Sequence, residues 1–357
     1  MPPGVYISWP FCAQKCTYCN FASGVLPKEL EREYGAALLQ ELNAHAWTEP
    51  PDTLYLGGGT PSLMPIETLR ACLDRIPGGP WREATIEAAP GTLNDVAAWR
   101  EAGITRVSLG VQSFVAAEAS RTGRRHTAET VAADVLTLRD ARLTNFNIDL
   151  IAGLPGQTDA SWEESLDCVE RLDAPHVSVY MLEVDEDSRL GQEILLNGKR
   201  YGARDVPSDE TIVRLYQRAV DRLREIGIHR YEISNFARPG FESAHNLKYW
   251  KLEPYFGFGA DAHSFDGAKR WQNAETAAGY IHHAQRTETE AHLDEERFFV
   301  GLRLTNGIDA TISTTPQQRA ALDRFIEAGL LEGAKGRLRL TDQGILLSNE
   351  VFAELIA

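Results

Sequence analysis

The chain has 357 residues, of which 43% are hydrophobic and 24% charged, ordinary proportions for a globular protein with a substantial core. Its formal net charge of −15 disfavours nucleic acid and anionic membrane surfaces as partners. No apolar run approaches the roughly 18 residues that span a bilayer. Residues 1–12 lack the basic and long apolar segments of a secretory signal. We therefore expect a cytoplasmic protein with no integral membrane segment.

The first half of the chain alternates short apolar or β-branched runs with stretches of helical period. The predicted elements, in chain order, are strand 5–9, helix 28–46, strand 53–59, helix 65–76, strand 84–90, helix 93–102, strand 106–111, helix 127–142, strand 146–155, helix 159–172, strand 176–184 and helix 208–227. Six strands with intervening helices imply an α/β fold with a parallel sheet, either doubly wound or curled into a partial barrel.

The pattern changes after residue 235. Residues 236–290 are rich in aromatic residues and glycine without clear period, and residues 291–357 regain helical patterns around a short β-pair. We predict three parts: a partial barrel over 1–235, a connecting segment over 236–290 and a small winged-helix-like α+β domain over 291–357. Such domains often bind DNA, but residues 290–357 hold 7 Lys and Arg against 11 Asp and Glu. That net charge of −4 favours a structural or substrate-covering role.

Three of the five cysteines, Cys12, Cys16 and Cys19, lie close together in FCAQKCTYC. An odd number of cysteines in a chain of this length argues against a disulfide framework. A structural zinc site and a ferredoxin cluster each take four ligands. Three thiolates would instead hold three irons of a four-iron cluster and leave the fourth open to chelate a small molecule. The remaining Cys72 and Cys168 fall on apolar helix faces and are predicted to be buried.

Polar and glycine-rich positions recur where the predicted strands end. The run Gly57–Thr60 ends the second strand, Glu87 lies in the third, Gln112 follows the fourth and Asp149 lies in the fifth. In parallel α/β barrels the carboxyl ends of the strands form the active site. The carboxylates would be costly to bury unpaired, so they could bond a ligand's hydroxyl groups together with Gln112, or pair with an internal arginine.

The cysteine spacing after a strand resembles the signature of the radical S-adenosylmethionine (SAM) superfamily. The resemblance implies a partial (β/α)6 barrel, a [4Fe–4S] cluster on Cys12, Cys16 and Cys19, and SAM on the open iron, where reductive cleavage gives a 5′-deoxyadenosyl radical. It places Tyr6 near the cluster and offers Arg125 as an alternative to Arg124. The SAM contacts that it implies are Gly57, Gly58, Gly59, Thr60, Glu87, Gln112, Arg124 and Asp149.

The segments YISWPFC, LYLGGGTPS, SLGVQS, NIDLIAGLPGQT and HNLKYW narrow the resemblance to the oxygen-independent coproporphyrinogen III oxidase group, and within it to the heme chaperones. The oxidases carry a further cysteine two places after the third, where this chain has Phe21. They also carry a long N-terminal arm, whereas 11 residues precede Cys12 here. The family's usual histidine in the first strand is Ser8, which affects a proton or SAM contact but not the cluster ligands.

The segment HNLKYW begins with His245 and matches a motif implicated in heme binding by those chaperones. A neutral imidazole is a common axial ligand of heme iron, and Tyr and Trp can pack on a flat macrocycle. His263 is a weaker alternative ligand. Two functions remain open: a heme chaperone that binds heme and transfers it to a heme-accepting protein, and an oxidase that decarboxylates porphyrinogen propionates.

Overall fold

A computed structural model of the chain describes residues 1–312 and 314–356. The strands within these ranges are β1 (Gly4–Trp9), β2 (Thr53–Gly58), β3 (Glu83–Ala88), β4 (Arg106–Gln112), β5 (Phe146–Ala152), β6 (His176–Met181), β7 (His229–Arg230), β8 (Asn235–Ala237), β9 (Tyr255–Phe258), β10 (His263–Phe265), β11 (Lys269–Gln272), β12 (Thr287–Glu290), β13 (Ile308–Asp309), β14 (Leu331–Ala334) and β15 (Arg337–Leu340).

The α-helices are α1 (Lys28–Ala44), α2 (Ile66–Leu73), α3 (Val96–Glu101), α4 (Ala116–Arg121), α5 (Ala128–Asp140), α6 (Asp159–Arg171), α7 (Arg189–Leu195), α8 (Asp209–Glu225), α9 (Ala244–Trp250), α10 (Ala277–Ile281), α11 (Leu293–Gly301), α12 (Pro316–Glu327), α13 (Asp342–Leu346) and α14 (Ser348–Ile356). Short 3₁₀ turns occupy Pro61–Leu63 and Arg200–Asp205. Within the described ranges, no helix is long and apolar enough to cross a bilayer.

Strands β1 to β6 lie side by side in chain order and are all parallel, with helices in the connections between them. This confirms the predicted α/β fold, and the six predicted strands agree with the observed ones to within three residues at either end. The sheet stays open, because β6 pairs antiparallel with β8 and β1 pairs parallel with β9. The result is a mixed twelve-stranded sheet in the order β12-β11-β10-β9-β1-β2-β3-β4-β5-β6-β8-β7.

The two faces of the parallel strands differ in chemistry. Val5, Ile7 and Trp9 of β1 point into the hydrophobic core, where the helices cover that face. The alternate positions of the same strand, Tyr6 and Ser8, point to the concave face, because successive side chains of a strand alternate. Polar residues of the following strands, among them Glu87, Ser108 and Asp149, line a cavity, which suits a ligand-binding interior.

The aromatic segment between 236 and 290 extends this sheet instead of running across it. It supplies β9 next to β1, and then β10, β11 and β12 as an antiparallel extension at that edge. It also supplies α9, which carries the HNLKYW motif and packs near β2. The division of the chain at 235 and 290 remains a proposal.

The C-terminal part forms a small unit of its own, with helices α11 to α14 around an antiparallel sheet in the order β13-β15-β14. Its apolar centre includes Phe298, Leu322, Val351 and Leu355. This confirms the predicted small α+β domain. The unit is joined to the main sheet by an ion pair between Arg303 and Glu232 at 3.6 Å and by a backbone bridge from Glu232 to Leu304.

Candidate functional site

A cavity of about 860 Å³ opens at the carboxyl ends of the parallel strands. It is lined by the cysteine loop after β1, by the ends of β2 to β6 and by the loop after α4. The predicted site residues that line it are Cys12, Cys16, Cys19, Gly58, Gly59, Thr60, Glu87, Gln112, Arg124 and Asp149. Arg125, the alternative to Arg124, lines it as well. Three predicted residues, Gly57, Tyr6 and His245, do not line the cavity.

The cysteine loop is held at its base by backbone bonds across the turn. The amide of Cys12 donates to the carbonyl of Gly24 at 2.8 Å, and the amide of Gly24 donates to Pro10 at 2.9 Å. All three cysteines of the loop are free and partly exposed. Burial is the largest effect on the Cys12 thiol and raises its pKa, which hydrogen bonds with Ser23 and Thr60 partly offset. The loop therefore presents its thiols to the cavity.

The glycine run after β2 lets that strand end lie directly against the cysteine loop. A Cβ atom on Gly59 would lie 2.8 Å from the carbonyl oxygen of Phe11 and 2.9 Å from the Sγ of Cys12. Gly58 has φ of +108°, which side chains disfavour. A Cβ on Gly57 would lie 2.9 Å from the ring of Tyr6. Contacts or backbone conformation within the protein therefore explain why a side chain is disfavoured at each of the three positions.

Two carboxyl groups share the cavity. Glu87 accepts a hydrogen bond of 2.9 Å from the hydroxyl of Tyr55, and burial together with the charge of Asp149 raises the pKa of Glu87 to about 7. Asp149 accepts from Asn147 Nδ2 at 2.7 Å and from Ser108 Oγ at 3.3 Å. Burial raises the pKa of Asp149, and these donors oppose the shift. The pair can accept hydrogen bonds from a ligand's hydroxyl groups at adjacent points.

Gln112 and Arg124 each carry a buried polar atom without a hydrogen-bond partner among the described residues. Gln112 has a positive φ of 70° at a bulge in the pairing of β4 with β5, and its buried Oε1 has no hydrogen-bond partner in the described chain. Arg124 donates through Nη1 to Gly110, while its buried Nε also lacks a partner there. Because both residues line the cavity, these unpaired atoms would be available to a bound ligand.

The residues present fit an iron–sulfur cluster and SAM. Among the described residues, no three His, Cys, Asp or Glu side chains converge as ligands of a single metal ion. Cys12, Cys16 and Cys19 instead share one loop on the cavity wall and offer three thiol ligands to the same space. Cys12, Cys16 and Cys19 would hold a cluster whose chemistry is electron transfer to bound SAM. The carboxyl groups, Gln112 and Arg124 would hold the polar groups of SAM.

Tyr6 does not line the cavity, but it contacts Tyr55, which in turn bonds to the lining residue Glu87. Its ring stacks on that of Tyr55 with centroids 6.2 Å apart, and the Tyr55 hydroxyl donates to Glu87. Burial raises the pKa of Tyr6, so this phenol stays neutral. Ser8, which replaces the family's histidine, is buried on the same strand, and its carbonyl accepts from Tyr34 at 2.8 Å.

His245 is fully buried at the start of α9, away from the cavity. Its Nδ1 lies 3.0 Å from Thr53 Oγ1, and its Nε2 lies 2.8 Å from the hydroxyl of Tyr249. Burial, and to a smaller extent Lys248, lowers the pKa of His245 to about 3. Both ring nitrogens are thus occupied by protein partners. His263, the alternative heme ligand, is exposed at the start of β10.

Sequence reasoning missed the part of the wall formed by the end of β6 and the residues after it. Residues 180–185 line the cavity, with Tyr180 and Leu182 among them. The available signal was that residues 180–184 form the second half of the sixth predicted strand, whose carboxyl end meets the ends of the other strands. Cys72 and Cys168 are buried in α2 and α6, as predicted.

Comparisons with known proteins identify the family. Residues 6–169 match the radical SAM superfamily, and residues 289–347 match the HemN C-terminal domain. The chain is 35% identical to the heme chaperone HemW of Bacillus subtilis over 98% of each chain. It is 31% identical to the HemW of Lactococcus lactis, over 99% of this chain and 97% of the relative.

A solved structure supports the fold. The coproporphyrinogen III oxidase HemN of Escherichia coli, a radical SAM enzyme, superposes with a TM-score of 0.84 over 100% of this chain and 90% of its own length, at 21% identity. Membership of the radical SAM superfamily implies a [4Fe–4S] cluster and SAM as cofactors. From its nearly full-length similarity to these relatives, the chain belongs to the HemW heme chaperone family of the radical SAM superfamily.

Proposed function

We propose that this protein binds heme and transfers it to acceptor hemoproteins, and that its iron–sulfur cluster and SAM regulate the transfer or the assembly with the acceptor. The observation that carries the proposal is the similarity to heme chaperones along nearly the whole chain, 35% over 98% of both sequences. The similarity includes the C-terminal unit, so it extends beyond the cofactor-binding sheet. The proposed partners are heme and an acceptor protein rather than nucleic acid, in the cytoplasm.

The cavity wall supports the same choice. Phe21 stands where the oxidases are expected to carry a further cysteine, and it lines the cavity with 66% of its surface exposed. A phenyl ring supplies no acid, base or metal ligand at that point. We therefore assign this chain to heme carriage and not to decarboxylation of porphyrinogens.

The second candidate function is oxygen-independent coproporphyrinogen III oxidation. The observation that favours it is the overall fold, which superposes on the oxidase HemN with a TM-score of 0.84. At 21% identity this likeness concerns the fold alone. The cavity of about 860 Å³ lies within the range of small-molecule sites and is compatible with either function.

The heme ligand remains a proposal with two candidates. His245 belongs to the matching motif, but iron could reach it only if the helix moved and a bond to Thr53 or Tyr249 were broken. Losing such a buried bond costs roughly 1–3 kcal/mol, which a coordinate bond to iron can offset. His263 needs no such rearrangement, because it is already exposed.

Anaerobic reconstitution of the cluster followed by parallel assays tests the proposal. One sample is titrated with hemin and followed by absorption, and another receives coproporphyrinogen III, SAM and a reductant, with the products separated by chromatography. We expect a saturable heme spectrum and unchanged coproporphyrinogen III. Formation of protoporphyrinogen IX would overturn the chaperone assignment, and so would the absence of saturable heme binding.

A further inference from the structure

A second cavity, of about 440 Å³, lies between the end of α9 and the C-terminal unit. One wall is Trp250, the last residue of the HNLKYW motif, with Leu252 beside it. The opposite wall comes from α11, β13 and their connection, where Val300, Leu304 and Ile308 contribute apolar surface. The volume falls within the range of small-molecule pockets. Among the described residues, this cavity shares none of its lining with the cofactor cavity.

The rim of this cavity is positively charged in an otherwise acidic protein. Lys251, Arg297 and Arg337 line it against the single carboxylate of Asp309, a local balance of +2 in a chain with a net charge of −15. Among the described residues Lys251 has no ion-pair partner, and Arg297 has only a 3.7 Å contact with Asp294, which is 97% exposed. Arg337 donates to backbone carbonyls, and Asp309 accepts from Thr311. Lys251 is therefore available to an external anion, Arg297 is held only by an exposed partner, and Arg337 adds positive charge while its hydrogen bonds to the backbone fix its position.

Trp250 is held in place although its own polar atom is unsatisfied. The guanidinium carbon of Arg303 lies 4.4 Å from the centroid of the indole ring, an attractive cation–π contact. Arg303 is itself placed by the fully buried Glu232, 3.6 Å away. The buried indole N–H of Trp250 has no acceptor within the described ranges. The cation–π contact therefore gives the cavity a fixed aromatic wall.

We propose that this cavity binds the edge of an anionic planar tetrapyrrole, with the ring on the apolar walls and the carboxylates on Lys251, Arg297 and Arg337. The inference rests on the proposed heme function and gives it a location. Charge complementarity favours this ligand. Its flat apolar ring, with carboxylates at one edge, matches a cavity that has apolar walls and a positively charged rim. The described lining residues include no His, Cys or Met, so the cavity would hold the macrocycle and these residues would supply no ligand to the iron.

The test uses zinc protoporphyrin IX, whose fluorescence reports binding, on the full chain. The variant Lys251→Glu with Arg297→Glu reverses two rim charges. The matched control, Lys269→Glu with Arg319→Glu, makes the same charge change at exposed positions outside the cavity. We expect the rim variant to bind about tenfold more weakly and the control to bind as the wild type does. If the charge-reversed variant does not fold, the double variant Lys251→Gln with Arg297→Gln, which only removes the two charges, replaces it in the assay.

A second ligand separates recognition of the carboxylates from recognition of the ring. The dimethyl ester of zinc protoporphyrin IX carries no carboxylate, so it should bind wild type and rim variant equally. Equal binding of the diacid by rim variant and control would overturn the cavity while leaving heme binding intact. If wild type binds neither hemin nor zinc protoporphyrin IX, the proposed function itself fails. A concentration-dependent dimer abolished only in the rim variant would assign the cavity to a second copy and also overturn the inference.

Discussion

The replacement Glu87→Gln tests the electrostatics of the cofactor cavity directly. Burial and the charge of Asp149 raise the pKa of Glu87 from its ordinary value of 4.5 to about 7. Gln keeps the shape and the oxygen that accepts from Tyr55, but it carries no charge. The variant therefore removes the cost of holding an ionised carboxylate beside Asp149 and changes little else.

The sign and size follow from proton linkage. Because the folded state has the higher pKa, it binds more protons than the unfolded state between about pH 4.5 and pH 7. The contribution of Glu87 to the free energy of unfolding thus falls as pH rises through this window and is constant above it. The full shift corresponds to roughly 3 kcal/mol, and water in the open cavity screens part of this, so we expect about 1–3 kcal/mol.

Urea denaturation of the cluster-free full chain, under anaerobic conditions at pH 5 and pH 8, measures this effect. Glu87→Gln should match wild type near pH 5 and exceed its free energy of unfolding by about 1–3 kcal/mol at pH 8. Glu67→Gln, at an exposed position of α2, is the control and should show no pH-dependent difference. A Glu87→Gln effect that is equal at both pH values would refute the reasoning.

Three further predictions concern the cofactors and the motif helix. Asp149→Ala removes a buried acceptor, so the affinity for SAM, measured by equilibrium dialysis on reconstituted protein, should fall by roughly 1–3 kcal/mol; an unchanged affinity counts against the pocket. Cys16→Ser should lose the cluster in iron analysis and Mössbauer spectra while Cys72→Ser keeps it, and the reverse result would show that the ligands are wrongly assigned. His245→Ala should lower the free energy of unfolding by roughly 2–4 kcal/mol in chemical denaturation, because two buried hydroxyl groups lose their partner. If the heme spectrum of that variant is unchanged while His263→Ala alters it, the ligand is the exposed histidine.

The parallel strands could be predicted because their signal is local. Each is a short apolar run followed by glycine or polar residues, and the helices between them have a clear period. The end positions of parallel strands meet at one edge by topology, which is why Glu87, Gln112 and Asp149 could be expected in one cavity. The strand β9 has no such signal. It is four residues long and contains Gly257. It forms by pairing with β1, which lies some 250 residues earlier in the chain, so the local sequence does not indicate it.

The environment of His245 could not be predicted from the local sequence pattern either. The motif HNLKYW shows which residues stand together in sequence, but the ring's partner Thr53 is 192 residues away. Similarly, the helix start is anchored by Glu83, which accepts from the hydroxyl of Ser243 at 3.0 Å and from the amide of Ala244 at 2.9 Å. Such long-range contacts decide whether a histidine is exposed or buried, and no periodicity reports them. The polar rim of the second cavity was missed for the same reason.

A chain of hydrogen bonds joins the floor of the cofactor cavity to the helix that carries the motif. Asn147 donates to Asp149 at 2.7 Å, and its Oδ1 lies 2.7 Å from Nδ1 of His176. Because an amide oxygen can only accept, Nδ1 of His176 carries the proton, and Nε2 accepts from the hydroxyl of Tyr231 at 2.9 Å. That hydroxyl in turn accepts from the amide of Ser243, the N-cap residue of α9, at 3.2 Å.

The donor and acceptor roles along this chain are consistent only while His176 is neutral. Burial holds its pKa well below the ordinary value, so no proton is added to Nε2 near neutral pH. A second proton would turn Nε2 into a donor. The Tyr231 hydroxyl could then no longer donate to it, and its bond with the amide of Ser243 would have to rearrange. The neutral form therefore fixes the start of α9 relative to Asp149. The cofactor cavity and the motif helix consequently share one buried scaffold, so a change in the partners of Asp149 acts on the same network that anchors α9.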